Sequence, residues 1–394
     1  MTFYLQDVGL INALGNGPEE VAHNLFAGKR AFVACDWVPG KTTYTAPVTA
    51  ELLPIPAALA GFASRNLALA ITAAEPLRSS IEALKTRFGP SRIAVVAGTS
   101  TSGIGEGEKA VDAFKHTGQR PPGYRYQQQE IGVLAENLAS YFTVTGPAYT
   151  LSTACSSSAH ALGSAYRLLA AGLVDAVIAG GADSLCKLTV NGFAALDSVD
   201  DKPCVPMSRH RGGINLGEAA AFFVVTREPG EEAIALLGVG GSSDAHHISA
   251  PDPAGAGARA AMLAGLKQAQ VAPAEVGYIN LHGTATPLND AMESAAVAEL
   301  FGTEVWCSSS KGQLGHTLGA AGATEAALGW LALSGYNPHR LLPPHCWDGE
   351  RDPAIAALKL VDDSARWDEG RRILVSNSFA FGGNNAAVVM GDAP

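Results

Sequence analysis

The chain has 394 residues, of which 47% are hydrophobic and 16% charged, and its formal net charge is −10. This composition can bury a large core, which excludes an intrinsically disordered chain. The acidic balance disfavours nucleic-acid binding, because a phosphate backbone selects a basic protein face.

Helical and strand patterns alternate along the chain. In order, they predict helices at 18–27 and 66–88, a strand at 92–98, helices at 129–141 and 157–171, strands at 176–181 and 219–226, helices at 256–270, 290–300 and 320–334, and strands at 373–376 and 386–390. Continuous apolar strands between helices indicate an α/β fold with a buried, parallel or mixed sheet covered on both faces.

A faint internal repeat suggests how the chain is divided. Residues 149–172 run from a strand through Cys-Ser-Ser-Ser to a small-residue helix, and residues 305–335 repeat this order with a loop inserted before the helix. Chance could produce such a pattern in an alanine-rich chain. The alternative is two similar halves, 1–234 and 235–394, connected by the polar stretch 227–232.

The cysteines and the N-terminus indicate the compartment. Six cysteines, at positions 35, 155, 186, 204, 307 and 346, form no CxxC pair, so neither zinc nor a disulfide framework is expected. The N-terminus has no signal-peptide pattern, and no apolar run reaches the roughly 18 residues of a membrane helix. We expect a reduced, cytoplasmic location, no membrane span and no bound metal.

Cys155 is the first candidate for chemistry, in the segment LSTACSSSAHALG. A strand is predicted to end and a helix to begin near it, and a helix N-terminus favours the reactive thiolate. This segment alone is about equally compatible with a structural role, in which Cys155 is an inert buried cysteine in a small-residue helix.

His282 lies in NLHGTATPLND, where a histidine at a strand end can project into a cleft. Thr284 and Thr286 are two residues apart, so their hydroxyls share one side of an extended segment. A capped turn with a satisfied histidine would give the same pattern.

Lys311, His316 and Glu325 lie in SSSKGQLGHTLGAAGATE, a glycine-broken loop leading into a small-residue helix. Unpaired charge is costly in a core, so these residues indicate a paired, functional group. A solvated loop with ordinary surface charges is the alternative.

Phe379 and Phe381 precede two glycines in SNSFAFGGNN. Glycines permit unusual dihedral angles, so a backbone N–H here could be directed into a site. An ordinary hairpin turn is the alternative.

Together, TACSSS, LHGTATPLND, KGQLGHTLGAAGATE and NSFAFGGNN resemble the motifs of the β-ketoacyl-[acyl-carrier-protein] synthases, condensing enzymes of the thiolase-like superfamily. The resemblance extends over nearly the whole chain, including GTSTSGIGEG and SSDAHHISAPDP. It implies a layered α-β-α-β-α fold built from two similar halves. The Cys-His-His set resembles the elongating synthases, whereas initiating synthases use Cys-His-Asn and thiolases Cys-His-Cys.

The resemblance implies a role for each candidate. Cys155 would carry the acyl chain, with its own N–H and that of Phe381 forming the oxyanion hole. His282 and His316 would stabilise the enolate formed when malonyl-[acyl-carrier protein] loses its carboxylate. Lys311 and Glu325 would hold the surrounding charge network. No cofactor would be needed, because the substrates arrive on the phosphopantetheine of an acyl carrier protein.

The remaining implied roles concern substrate access and docking. Thr284 and Thr286 would bind the pantetheine amides, and Phe379 and Phe381 would gate the acyl pocket. The arginines at 65, 209 and 211 are candidates for docking an acidic carrier protein, with ordinary solvated charges as the alternative.

Three positions depart from the family pattern: Ala380 replaces a usual glycine, Asn384 a threonine and Met207 a phenylalanine. These departures favour a specialised polyketide or aryl-polyene pathway over housekeeping fatty-acid synthesis. A homodimer is expected, or a heterodimer in which this chain is the catalytic or, less compatibly with its intact cysteine, the chain-length-determining subunit. A thiolase that condenses without decarboxylation is the third alternative.

Overall fold

A computed structural model of the chain describes residues 2–232 and 234–394. Its helices are α1 (Pro18–Phe26), α2 (Arg65–Ala74), α3 (Arg78–Phe88), α4 (Ile104–Thr117), α5 (Val133–Phe142), α6 (Ser157–Ala170), α7 (Lys187–Ala194), α8 (Ala256–Ala269), α9 (Pro287–Phe301), α10 (Lys311–Leu314) and α11 (Ala321–Leu333). Its strands are β1 (Phe3–Asn12), β2 (Gly15–Asn16), β3 (Val33–Val38), β4 (Lys41–Ala46), β5 (Ile93–Gly98), β6 (Ala148–Leu151), β7 (Ala176–Asp183), β8 (Leu216–Gly217), β9 (Ala219–Thr226), β10 (Ile234–Ser243), β11 (Tyr278–Asn280), β12 (Trp306–Ser308), β13 (Lys359–Leu360), β14 (Ile373–Phe379) and β15 (Asn384–Asp392). Within the described ranges, no helix is both long enough and apolar enough to cross a bilayer.

The main sheet contains the same five-strand arrangement twice. The order β1-β9-β7-β5-β6 in the first half is matched by β10-β15-β14-β11-β12 in the second. In each half the first three strands are antiparallel and the last three parallel, and antiparallel pairing of β1 with β10 joins the two into one sheet. The predicted fold of two similar halves is confirmed, whereas a domain boundary at residue 234 stays a prediction.

The internal repeat is topological rather than residue-by-residue. Strands β6 and β12 occupy equivalent places in the two halves, and each leads to a central helix, α6 or α11. Cys307, however, lies inside β12, whereas Cys155 lies beyond the end of β6. The two Cys-Ser-Ser-Ser runs are therefore not equivalent in structure.

The helices form three layers around the two halves of the sheet. Helices α6 and α11 contribute to a central core that includes strand residues of both halves. Helices α2, α3 and α5 cover the outer face of the first half, and α8 and α9 cover that of the second. Every residue of α11 is buried, as expected of a helix with layers on both sides. The predicted α-β-α-β-α layering is thus confirmed.

Two predicted helices have different bounds in the structure. The segment 66–88 is two helices, α2 and α3, because Pro76 lacks the N–H that an uninterrupted helix needs. The segment 129–141 becomes helical only at Val133, after a separate 3₁₀ turn, Tyr126–Gln129. Strands β1 and β10, which connect the halves, were not predicted.

Candidate active site

A tight strand-to-helix turn presents Cys155. Strand β6 ends before it and α6 begins two residues after it, while Ala154 adopts a left-handed φ of 51°. The hydroxyl of Ser157 accepts a 2.9 Å hydrogen bond from Thr153 N–H, and that of Ser156 donates to the Thr153 carbonyl at 2.8 Å. Small hydroxyl residues thus close the turn, and Cys155 is held where it lines a cavity.

The electrostatics of Cys155 correct one expectation. Burial raises the pKa of its thiol to about 12, although Lys311 and the backbone N–H of Phe381 oppose that rise. Burial therefore favours the protonated thiol, and not the thiolate that a helix N-terminus was expected to favour. The N–H groups of Phe381 and of Cys155 itself both interact with the sulfur, which is the pair expected for an oxyanion hole.

His282 is fixed at the end of β11 by a buried carboxylate. Glu293, on α9, accepts the backbone N–H groups of His282 and Gly283, both at 2.7 Å. The imidazole meets that of His316 edge to face, with ring centroids 5.3 Å apart. Burial raises the pKa of Glu293 to about 7. Sequence reasoning missed Glu293, although an acid inside the apolar run of α9 is the kind of signal that could have identified it.

A backbone contact sets the tautomer of His316. The N–H of Leu318 donates to Nδ1 of His316 at 3.2 Å. Because an N–H can only donate, Nδ1 is the acceptor and the proton of the neutral ring lies on Nε2. Leu318 itself has a left-handed φ of 53°, so the turn holding the histidine adopts an uncommon conformation.

Lys311 and Glu325 form a buried ion pair next to the histidines. Their side chains are 1% and 2% exposed, and Nζ of Lys311 donates to Oε1 of Glu325. The same Nζ lies 3.5 Å from Nδ1 of His282. An ammonium offers only donors, so His282 also carries its proton on Nε2. Burial and the Lys311 charge hold the pKa of both imidazoles well below the ordinary histidine value, which keeps them neutral.

A cavity of about 230 Å³ joins these groups. It is lined by most of the residues that the sequence singled out: Cys155, His282, Thr284, Thr286, His316, Phe379 and Phe381. The hydroxyls of Thr284 and Thr286 are 2.9 Å apart. Lys311 and Glu325 are not among the lining residues, so they act on the cavity through His282 rather than by direct exposure to it. Phe193, which was not predicted, packs its ring 5.4 Å from that of Phe381.

Hydrogen bonds hold the loop after β14 across the cavity. Gly382 N–H donates to the Ile248 carbonyl at 2.8 Å, and the Asn385 amide donates to the Asp244 carboxylate at 3.0 Å. Ala380 has φ −106° and ψ 154°, an extended conformation that accommodates a Cβ. Alanine in place of glycine therefore fits this loop arrangement without strain, and Asn384 simply begins β15.

Met207 is not among the residues that line the cavity. It is buried in the outer core of the second half, and its N–H donates to the Asp290 carboxylate at 2.8 Å. It belongs to the same hydrophobic cluster as Phe379, which does line the cavity, so any effect of Met207 on the cavity is indirect.

The three arginines proposed for carrier docking are all paired. Arg65 binds Glu218, with Nε 2.9 Å from Oε2, and Arg209 binds Glu350 at 2.9 Å. Arg211 is 8% exposed and binds Asp352 at 2.5 Å. Carboxylates neutralise all three, and Arg211 is buried as well. The structure therefore favours a structural role for Arg211, whereas Arg65 and Arg209, with side chains 41% and 54% exposed, remain candidates for carrier docking.

Comparison with known proteins places these features in a family. The model of the Beta-ketoacyl synthase N-terminal domain matches residues 8–231, and that of the C-terminal domain matches residues 234–346. The chain is 35% identical over 311 residues to 3-oxoacyl-[acyl-carrier-protein] synthase 2 of Rhizobium meliloti (strain 1021), covering 73% of this chain and 72% of that protein.

Solved structures extend the likeness to the full length. The ketosynthase ApeO of Xenorhabdus doucetiae, in complex with its chain length factor ApeC, gives a TM-score of 0.93 at 45% identity and covers 100% of this chain and 98% of its own. The ishigamide ketosynthase/chain length factor gives 0.87 at 26% identity, with coverage of 100% and 99%. With both halves matched and the Cys-His-His site assembled in one cavity, the chain belongs to the β-ketoacyl synthase family of condensing acyltransferases.

Proposed function

We propose that the chain condenses an acyl group held on Cys155 with malonyl-[acyl-carrier protein], releasing carbon dioxide and a β-ketoacyl-[acyl-carrier protein]. One observation carries the proposal: a single cavity joins a cysteine with two N–H donors at its sulfur to two neutral histidines. These groups match the two demands of the reaction, which are an oxyanion and an enolate to stabilise.

Acyl transfer to the enzyme comes first. The sulfur of Cys155 attacks the acyl thioester, and the tetrahedral oxyanion is held by the N–H groups of Cys155 and Phe381. The carrier leaves as a free pantetheine thiol, which takes the proton lost by Cys155. Burial raises the pKa of the Cys155 thiol to about 12, so Cys155 is protonated before substrate binds. It therefore loses its proton when the acyl thioester is bound, and not earlier.

Decarboxylation follows on the second carrier. Nε2–H groups of His282 and His316 donate to the malonyl thioester oxygen, so that negative charge moves onto this oxygen as the C–C bond to the carboxylate breaks. Neutral imidazoles suit this task, since each donates one hydrogen bond without a proton transfer. The resulting carbanion attacks acyl-Cys155, forms the new C–C bond and expels the Cys155 sulfur as a thiolate, which takes up a proton from solvent to restore the thiol. None of these steps uses a metal or a redox cofactor, and we propose that the reaction needs neither.

An acyl carrier protein is the proposed source of both substrates. The Rhizobium meliloti relative is a 3-oxoacyl-[acyl-carrier-protein] synthase, and the Thr284–Thr286 hydroxyl pair at the cavity offers hydrogen bonds to pantetheine amides. A cytoplasmic location is proposed with it.

A second, related chain is the proposed partner. Both solved ketosynthases reported above form complexes with a chain length factor, and one shares 45% identity with this chain. On this chain, β6 is the outermost strand of the sheet, and a separate open groove of about 700 Å³ is lined by α4 and α7. Val111 and Leu188 in that groove are each 56% exposed. We propose that this chain is the catalytic subunit of such a heterodimer, in a specialised polyketide or aryl-polyene pathway.

The test is condensation by Cys155→Ala compared with Cys35→Ala, whose cysteine lies in β3 outside the cavity. We expect Cys155→Ala to abolish β-ketoacyl product, measured by mass spectrometry of the carrier protein, and Cys35→Ala to retain it. Normal condensation by Cys155→Ala would refute the nucleophile assignment. Acetyl-CoA condensation without carbon dioxide release would instead identify a thiolase.

A further inference from the structure

A fully buried carboxylate joins the two halves beside the candidate site. Asp183 ends β7, is 0% exposed and forms no ion pair with any cation in residues 2–232 or 234–394. An isolated buried charge is costly unless neutral donors satisfy it. The position therefore requires an explanation beyond packing.

The donors around Asp183 are numerous and neutral. Its two oxygens accept hydrogen bonds from the hydroxyls of Thr99, Ser100 and Thr101 at 2.5, 2.6 and 2.8 Å, and from the N–H groups of Ser100 and Thr101 at 3.0 Å. A sixth donor is the N–H of Gly319, at 2.6 Å. These donors replace the water that Asp183 would contact if it were exposed.

These donors come from different halves of the molecule. Residues 99–101 follow β5 in the first half, whereas Gly319 belongs to the turn Leu318–Ala320 in the second. Only glycine permits this approach, since a Cβ at position 319 would lie 2.6 Å from Ser100 N and 2.7 Å from Asp183 Oδ2. Asp183 thus fastens the second-half turn onto the first half.

The turn that Asp183 binds, Leu318–Ala320, also positions His316. The residue before Gly319 is Leu318, whose N–H sets the His316 tautomer and whose left-handed φ needs support from its surroundings. We infer that Asp183 is a positioning residue for decarboxylation, holding the Leu318–Gly319 turn so that His316 keeps its Nε2 proton and its place relative to Cys155. The inference rests on the proposed function.

Asp183→Asn separates this role from nucleophile function. The amide keeps the side-chain shape but presents an NH₂ where donors converge, so the Gly319 contact weakens. Acylation of Cys155 does not use His316, and the Asp183 charge raises the pKa of the Cys155 thiol, so losing that charge does not hinder acylation. Displacing His316 slows decarboxylation, since a misplacement of about 1 Å can cost on the order of 100-fold.

The experiment measures both half-reactions on the full chain: acyl-Cys155 formation by intact-protein mass spectrometry, and carbon dioxide release from malonyl-carrier protein. For Asp183→Asn we expect acylation within about threefold of wild type and decarboxylation reduced about 10- to 100-fold. Asp7→Asn, which makes the same change on β1 and outside the cavity, is the control and should retain both rates. Equal losses in both half-reactions, or no loss in either, would overturn the inference.

Gly319→Ala provides a second variant should Asp183→Asn fail to fold, because it pushes the same turn away from an intact Asp183. The same selective loss of decarboxylation is expected, and a proportional loss of both rates would count against the inference. A wild-type chain that acylates Cys155 but releases no carbon dioxide would instead contradict the proposed function.

Discussion

Burial determines the charge and the pKa of single residues in this site. Lys311 and Glu325 are a pair whose charges are removed from water, and burial raises the pKa of Glu325 even though Lys311 opposes the rise. A buried pair contributes little net stability, but removing one partner leaves a charge that nothing compensates. The pair is therefore better regarded as a means of placing a cation beside His282 than as a source of stability.

Glu325→Gln should destabilise the protein by about 3–5 kcal/mol, because Lys311 then remains buried without a counter-charge. Lys311→Met should be destabilising as well, although Glu325 can reduce its cost by taking up a proton. The double variant should be more stable than the sum of the single effects implies. Urea unfolding of all four proteins checks this, and additive free energies would show that the two groups are not coupled.

His345 gives a pH dependence of stability. Its Nδ1 accepts the Ser309 N–H at 3.1 Å and its Nε2 lies 3.0 Å from the Pro206 carbonyl, while burial lowers its pKa to about 4. The unfolded chain, with an ordinary histidine pKa, binds this proton between about pH 6.5 and 4, and the folded chain does not. The contribution of His345 to stability is therefore present above that window and is lost as the pH falls through it.

His345→Gln should weaken this acid sensitivity. Between pH 7 and pH 5 the wild type should lose about 2 kcal/mol more unfolding free energy than the variant, which has one fewer buried neutral histidine. His282 and His316 remain in both proteins, so some acid sensitivity should persist. Urea unfolding at the two pH values measures the difference, and identical slopes would exclude His345 as a contributor.

Among the secondary-structure elements, α6 and α11 position the candidate catalytic residues of the two halves. Their contact depends on small residues: a Cβ on Gly322 would lie 2.6 Å from the backbone nitrogen of Ala159, and Ala323 N–H donates to the Ser158 hydroxyl at 2.9 Å. Since α6 follows Cys155 and α11 follows His316, their separation sets the distance across the site.

Gly322→Ala should therefore cost about 1–3 kcal/mol by overpacking this contact. Gly192→Ala is the matched control, because that glycine is also helical and a Cβ there would meet nothing within 4 Å. In α7 the change should be neutral or stabilising by up to about 1 kcal/mol. Thermal unfolding of the two variants compares them, and equal effects would show that the α6–α11 contact tolerates a methyl group.

The elements also show what sequence reasoning can provide. Apolar runs and helical periodicity identified β5, β7, β9 and most of the helices, because those signals are local. The pairing of β1 with β10 depends on contacts far apart in sequence, and it was not predicted. The position of Cys155 before α6 followed from its segment, but its raised thiol pKa did not, because desolvation depends on what the rest of the chain places around it. Asp183 was missed for the same reason, because only the assembled fold shows how many donors converge on it, whereas Glu293 carried a local signal that was not used.

At the scale of the whole molecule, the site is complete within one chain while one outer face is not covered. Cys155 comes from the first half and both histidines from the second, and Asp183 connects the two. By contrast, no strand of residues 2–232 or 234–394 pairs with the outer edge of β6, and α4 exposes apolar side chains. Val111 and Phe114, one helical turn apart on α4, are 56% and 54% exposed. This face, which lies beside the groove between α4 and α7, is where we expect the proposed second subunit to bind.

Replacing Val111 and Phe114 together by glutamate should prevent that association, since a charge in the centre of an apolar interface costs about 2 kcal/mol or more. Both side chains are already exposed, so the variant should fold with wild-type thermal stability. Leu263→Glu, on α8 of the opposite outer layer and 48% exposed, is the control and should bind normally. Co-expression with a cysteine-less, ketosynthase-like chain, followed by size-exclusion chromatography with mass determination, distinguishes the two. If the glutamate variant still forms the complex, the partner binds elsewhere. The wild-type chain could instead form a fully active homodimer on its own, and the same double substitution could disrupt it. In that case the face is an interface, but the partner is a second copy of this chain.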